Sequence, residues 1–113
     1  MPPPHRPSAA VQRALRQLGQ DLRTARVRRR LTMAVVAERA FTSRPTLHRV
    51  ERGDPSVGLG IYASVMHALG LLDALAQAAD PSRDEVGLAH ADRALPRRVR
   101  MRRPSANGGA DDG

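Results

Sequence analysis

The stretch Ser43-Arg44-Pro45-Thr46-Leu47-His48-Arg49-Val50-Glu51-Arg52-Gly53 decides how this chain folds. Ser43 is a strong helix N-cap, because its hydroxyl can accept from the free N–H groups of a first turn. Pro45 falls inside that turn, where a missing N–H does no harm. Gly53 can take the left-handed conformation that ends a helix. Start and stop signals therefore bracket a short helix from about Ser43 to Arg52.

A second short helix lies just upstream. Thr32 is suited to cap it, Met33 to Ala40 is rich in Ala and Val, and Phe41-Thr42 interrupts it. Two short helices joined by a tight turn can present the second one to the major groove of DNA. Val36, Ala37, Ala40, Leu47 and Val50 fall at the spacings that hold such a pair near a right angle. Ala37 marks the expected crossing, where only a small side chain allows close approach.

Working outward, Val11, Leu15, Leu18, Leu22 and Ala25 recur at steps of four and three, which predicts one apolar helix face over about residues 9–29. Val36, Leu47 and Val50 are expected to pack against this helix. Arg13, Arg16, Arg23 and the run Arg28-Arg29-Arg30 lie on its other side. Downstream of the loop Asp54–Gly58, the residues Leu59, Tyr62, Val65, Met66 and Leu69 mark a fourth helix ended by Gly70. Leu71 to Ala79 reads as a fifth, closing near Asp80-Pro81, and Asp84 to Leu95 as a further one on a thin apolar face of Val86, Ala89 and Arg93. The expected organisation is an all-α, compact five-helix domain over 9–80, preceded by a Pro-stiffened disordered arm (1–8). After it come a C-terminal extension (81–103), helical and then Arg-rich, and a disordered tail (104–113).

Composition bounds the function. All 19 basic residues are Arg, and against 11 acids they give a net charge of +8 on 113 residues. Such a balance favours a polyanionic partner, either nucleic acid or an anionic membrane surface. One Phe, one Tyr and no Trp leave little for the base stacking that single-strand binders use. The absence of Cys excludes disulfides and thiolate metal sites. No apolar run approaches the roughly 20 residues of a membrane span, and Met1 to Pro7 lacks the apolar core of a signal peptide. A cytoplasmic protein without membrane attachment is expected.

The motif residues also carry a resemblance. Leu22-Arg23-x-Ala25-Arg26, Leu31-Thr32, Val36-Ala37-Glu38-Arg39-Ala40 and Ser43-Arg44-x-Thr46-Leu47-x-Arg49-Val50-Glu51-Arg52-Gly53 resemble the XRE family of bacterial and phage regulators, related to the lambda and Cro repressors. The resemblance spans about residues 15–79 and implies a lambda-repressor-like domain that binds operator DNA as a homodimer. It places Arg44 and Arg49 where a recognition helix faces base edges, each able to pair bidentately with guanine. It places Ser43, Thr46 and Arg52 at phosphate-contacting positions, with His48 able to touch either. Arg26 and Glu51 fall where the family pairs its first helix with the recognition helix, a structural role. Departures from the pattern are Met33 in place of Gln, Arg30 and Phe41 in place of Gly, and Thr42 in place of a core aliphatic. An Arg or Phe in a left-handed turn position carries a strain of about 1–2 kcal/mol.

A narrower resemblance runs over residues 51–99. Glu51-Arg52-Gly53-Asp54-Pro55-x-Val57-Gly58-Leu59-Gly60, Ala68-Leu69-Gly70-Leu71-Leu72, Ala79-Asp80-Pro81-Ser82-Arg83-Asp84-Glu85-Val86-Gly87 and Leu95-Pro96-Arg97-Arg98-Val99 are similar to HipB-type antitoxins. This implies a HipA-like serine/threonine kinase toxin as partner and autorepression of a shared operon. Two alternatives stand beside it: an antitoxin that acts through protein interaction with DNA binding secondary, and a stand-alone repressor.

Catalysis finds no support. His5, His48, His67 and His90 are scattered with no carboxylate at ligand spacing, so no metal site is expected. Ser43, Ser56 and Ser64 lack a base-and-orienter pair, and no Gly-rich phosphate loop follows a strand. No cofactor is implied.

Overall fold

A computed structural model describes residues 6–94, and among these every regular element is a helix. The first three helices start where the sequence provides a hydroxyl. Ser8 caps α1 (Ala9–Arg28), Thr32 caps α2 (Met33–Arg39) and Ser43 caps α3 (Arg44–Glu51), each side chain accepting from the backbone N–H three residues on. Further on come α4 (Leu59–Ala68) and the short α5 (Leu72–Ala76).

The ends of α1 to α4 share one device. A residue with positive φ follows each C-cap: Arg30 (55°), Phe41 (56°), Gly53 (74°) and Gly70 (78°). Each closes its helix with a pair of backbone hydrogen bonds that satisfies the last carbonyls. Between α2 and α3 the pair is Phe41 N–H to the Glu38 carbonyl at 3.0 Å and Thr42 N–H to the Ala37 carbonyl at 2.9 Å. Arg30 and Phe41 thus occupy the left-handed positions despite their side chains, and the turn closes with its full pair of hydrogen bonds. Phe41 gains nothing from burial there, being 95% exposed.

The described residues divide into two compact units, one ending at Ala78 and the other beginning at Ala79. In the first, α3 packs on both α1 and α2, α2 packs on α4, and α4 on α5. The core is Leu22, Ala25, Val36, Ala37, Ala40, Leu47, Val50, Val57, Tyr62, Val65, Met66 and Leu69. Val36, Leu47 and Val50 have no solvent exposure, so the expected underside of the two short helices forms the centre of the unit. Leu18, Leu31, Met33, Ile61, Leu71 and Leu75 close its edges.

Three expectations need correction, the first being Leu59, which was read with the apolar face of α4 but lies in its first turn 68% exposed. Val11 lies on the apolar face of α1 but is 48% exposed, because the packed part of that helix begins near Leu15, level with the end of α3. The fifth helix stops at Ala76 rather than Ala79. Beyond Leu75 its residues are all exposed, so no packing supports another turn. Asp80, held extended ahead of Pro81, then starts a new element.

That element belongs to the second unit. Asp80 accepts from the Ser82 N–H at 2.9 Å and caps a single 3-10 turn, Pro81–Arg83. The Ser82 backbone and hydroxyl donors hold the Asp80 carboxyl below its usual pKa. After it, α6 spans Glu85–Ala94, with Val86 and Leu88 exposed. Expectations for the first residues of the N-terminal arm, for Leu95, for the Arg-rich run and for the tail fall outside the described residues.

Candidate nucleic-acid interface

The orientation of α3 follows from what its inner face touches. Leu47 and Val50 enter the core, and Glu51 turns toward α1. Arg26 of α1 donates from Nε to Glu51 Oε2 at 2.6 Å and from Nη2 to Glu51 Oε1 at 3.1 Å, a bidentate fork. Its Nη1 reaches the Leu31 carbonyl at 3.1 Å. With side chains 11% and 6% exposed, this pair is a largely internal strut between α1 and α3.

A second device sets the spacing between α1 and α3. Gly19, buried in the middle of α1, sits where an added Cβ would lie 2.5 Å from the Val50 carbonyl oxygen and 2.7 Å from that of Glu51. Gly53 faces the backbone of Leu15 and Arg16 just as closely, so its lack of a side chain serves both its positive φ and this approach. The two glycines let the backbones of α1 and α3 meet directly. Gly19 was not singled out from the sequence, since a lone glycine within a helical pattern gives no sign of which backbone it faces.

With Leu47, Val50 and Glu51 held inward, successive 100° steps place Arg44, Pro45, His48, Arg49 and Arg52 on one outward strip. All five are exposed. The strip holds three Arg, one His and no acid. Arg44, in the first turn, forms no hydrogen bond or ion pair with a described residue. Thr46 lies at the strip's edge, half-buried. The Ser43 hydroxyl is engaged locally, accepting from the Thr46 N–H at 3.2 Å and donating to Thr46 Oγ1 at 3.0 Å.

Arg49 behaves differently from Arg44. Its Nε donates to Asp54 Oδ2 at 3.0 Å and its Nη2 to Ser56 Oγ at 2.9 Å. The other Asp54 oxygen accepts from the Ser56 N–H at 2.8 Å and from its hydroxyl at 2.7 Å. These donors, Ser56 first and Arg49 after it, lower the Asp54 pKa to about 2. The buried Tyr62 donates its hydroxyl to the Asp54 carbonyl at 2.8 Å. Burial, and then the Asp54 charge, push the Tyr62 phenol above its ordinary pKa. Neither Asp54 nor Ser56 was predicted to bear on the site. The signal was present in Asp54-Pro55-Ser56, where an Asp can bond the backbone two residues on.

Beside the C-terminal end of α3 opens a cleft of about 390 Å³, into which Gln12 and Arg16 of α1 face together with His48 and Arg52. Across residues 6–78 twelve Arg oppose five acids, so this surface sits in a strongly positive field. Among the described residues there is no cluster able to hold a metal ion, and no helix long and apolar enough to cross a membrane.

The model of one family, the helix-turn-helix domain, matches residues 17–79, more than half of the chain. The chain belongs to the helix-turn-helix domain family. No curated protein and no solved structure matches it. The matched span of this helix-turn-helix protein runs from the middle of α1 to just past α5, and so contains the paired short helices, their turn and the Arg26–Glu51 strut.

Proposed function

We propose that this helix-turn-helix protein is a transcriptional regulator that binds duplex DNA sequence-specifically, laying α3 in the major groove. The observation that carries this reading is the outward strip of α3, where Arg44, His48, Arg49 and Arg52 share one exposed face of a helix whose other face is locked into the core. Arg44 and Arg49 read base edges, each suited to a bidentate pair with guanine. Ser43, Thr46 and Arg52 sit against phosphates and His48 beside them. Two copies would set their α3 helices roughly 34 Å apart, in successive major grooves of a near-palindromic operator.

The test is titration of the DNA immediately upstream of the gene against scrambled duplex, at several salt concentrations. Specific binding that weakens steeply with salt, by a log–log slope of about −0.9 per phosphate neutralised, is expected. Arg44→Ala is expected to lose the preference for the upstream site. Equal binding of wild type and Arg44→Ala to both DNAs would refute the assignment.

The finer reading is an antitoxin that represses its own operon and neutralises a HipA-like serine/threonine kinase toxin in the cytoplasm. It is supported by the resemblance of residues 51–99 to HipB-type antitoxins, and by a helical unit following Ala78 that could serve a partner. Co-expression with the product of the neighbouring gene tests it. A stable complex with a kinase-like neighbour is expected, and a non-kinase neighbour that fails to co-purify would reject it.

A further inference from the structure

We infer that Asp54 and Ser56 are positioning residues for DNA readout, presenting the outer edge of the Arg49 guanidinium to a guanine. The inference rests on the reading of α3 as a recognition helix. A guanidinium has two bidentate edges, one formed by Nε and Nη2 and the other by Nη1 and Nη2. In this protein the first edge is occupied, Nε by Asp54 and Nη2 by Ser56. The Nη1 hydrogens and the second Nη2 hydrogen remain, and the side chain is 47% exposed, so the outer edge is open to a base carrying two acceptors.

The support behind Arg49 is itself rigid. The Asp54 N–H donates to the Arg49 carbonyl at 3.0 Å, so the two residues are joined by backbone as well as by side chain. Tyr62, anchored in the core, fixes the Asp54 carbonyl. Both Asp54 oxygens are engaged, which leaves the carboxylate no other orientation that keeps its partners. An arginine held this way loses little side-chain freedom on binding, and it meets its base at one angle only. Guanine offers O6 and N7 at the matching spacing, so the device selects guanine at a single base pair. Arg44 has no such support among the described residues, so the two arginines differ in how sharply they discriminate.

The experiment is selection of duplexes from a random pool by wild type, Arg49→Ala, Asp54→Asn and Ser56→Ala, with thermal melting to show that each variant is folded. Asp54→Asn keeps an oxygen for the Ser56 N–H but turns N–H donors toward Arg49 Nε, so it tests position without dismantling the loop. Wild type should enrich a motif with one guanine that Arg49→Ala no longer prefers, discrimination there being roughly 5- to 150-fold. Asp54→Asn should lower that preference below about threefold, while overall affinity for the pool holds or rises because a negative charge has left the phosphate surface. Ser56→Ala should weaken the same preference partway, and Arg49→Ala combined with Asp54→Asn should match Arg49→Ala alone at that base pair. A wild-type motif whose guanine survives Asp54→Asn at full strength overturns the inference and leaves the proposed function standing. A motif indifferent to Arg49→Ala also overturns it. If wild type enriches no motif, the proposed function fails and the inference with it.

Discussion

Gly19→Ala sets two opposing effects against each other, and the geometry decides between them. In an exposed helix interior, replacing Gly by Ala stabilises by about 1 kcal/mol through helix propensity. At Gly19 the new methyl would lie 2.5 Å from the Val50 carbonyl oxygen, 2.7 Å from that of Glu51 and 2.7 Å from the Gly53 nitrogen. All three are backbone atoms, so no flexible side chain can yield. Ordinary van der Waals contact requires α1 and α3 to separate by nearly 1 Å. Overpacking of this kind costs typically 1–3 kcal/mol, and here it also pulls at the Arg26–Glu51 fork, which spans the same two helices. The upper part of that range exceeds the propensity gain, leaving a net loss of about 1–2 kcal/mol. For a domain of this size each 1 kcal/mol lowers Tm by roughly 4–8 °C. Urea denaturation of wild type and Gly19→Ala, analysed for midpoint and slope, measures the difference. If Gly19→Ala is as stable as wild type or more so, helix propensity has won and the close backbone crossing does not hold in solution.

Glu51→Gln removes one charge from a pair whose side chains are 11% and 6% exposed, leaving the Arg26 guanidinium partly buried against a neutral amide. A loss of about 3 kcal/mol is expected by denaturation, with much of it recovered when Arg26→Leu and Glu51→Leu are combined; a single variant of wild-type stability would contradict this account. Phe41→Gly should stabilise by about 0.5–1 kcal/mol, since it relieves a left-handed φ of 56° and surrenders almost no packing. A fall in melting temperature for that variant would mean that the exposed ring contributes something its surroundings do not show.

The elements were largely legible along the chain because their signals are local. A hydroxyl before an apolar run accepts from the next turn wherever the helix lies, so Ser43 and Thr32 marked true starts. The apolar spacing of Val36, Ala37, Ala40, Leu47 and Val50 named residues that all prove buried. Val11 misled because periodicity reports that a face is apolar, not that another element covers it. The last turn of the fifth helix misled for the same reason. Arg30 and Phe41 show the limit from the other side: the sequence pointed to strained turn positions, and the chain occupies them with complete hydrogen bonding.

The candidate site was legible only in its identities. From residues alone, Arg44 and Arg49 are two equivalent cations on one helix. Tertiary structure separates them: the loop after α3 brings Asp54 and Ser56 onto the Arg49 guanidinium, and Arg44 is left without a partner among the described residues. It was tertiary structure, too, that placed Gly19 against the end of α3 and gathered Gln12 and Arg16 beside His48 and Arg52. Helix starts, and the stops that carry a left-handed residue, depend on neighbours within a turn or two of chain, and the sequence by itself determined them; how far an apolar face is covered, and where the fifth helix ends, depended on packing. Which backbone a glycine faces, and which acid holds an arginine, depend on how separate elements come together in space, and only the tertiary structure decided those.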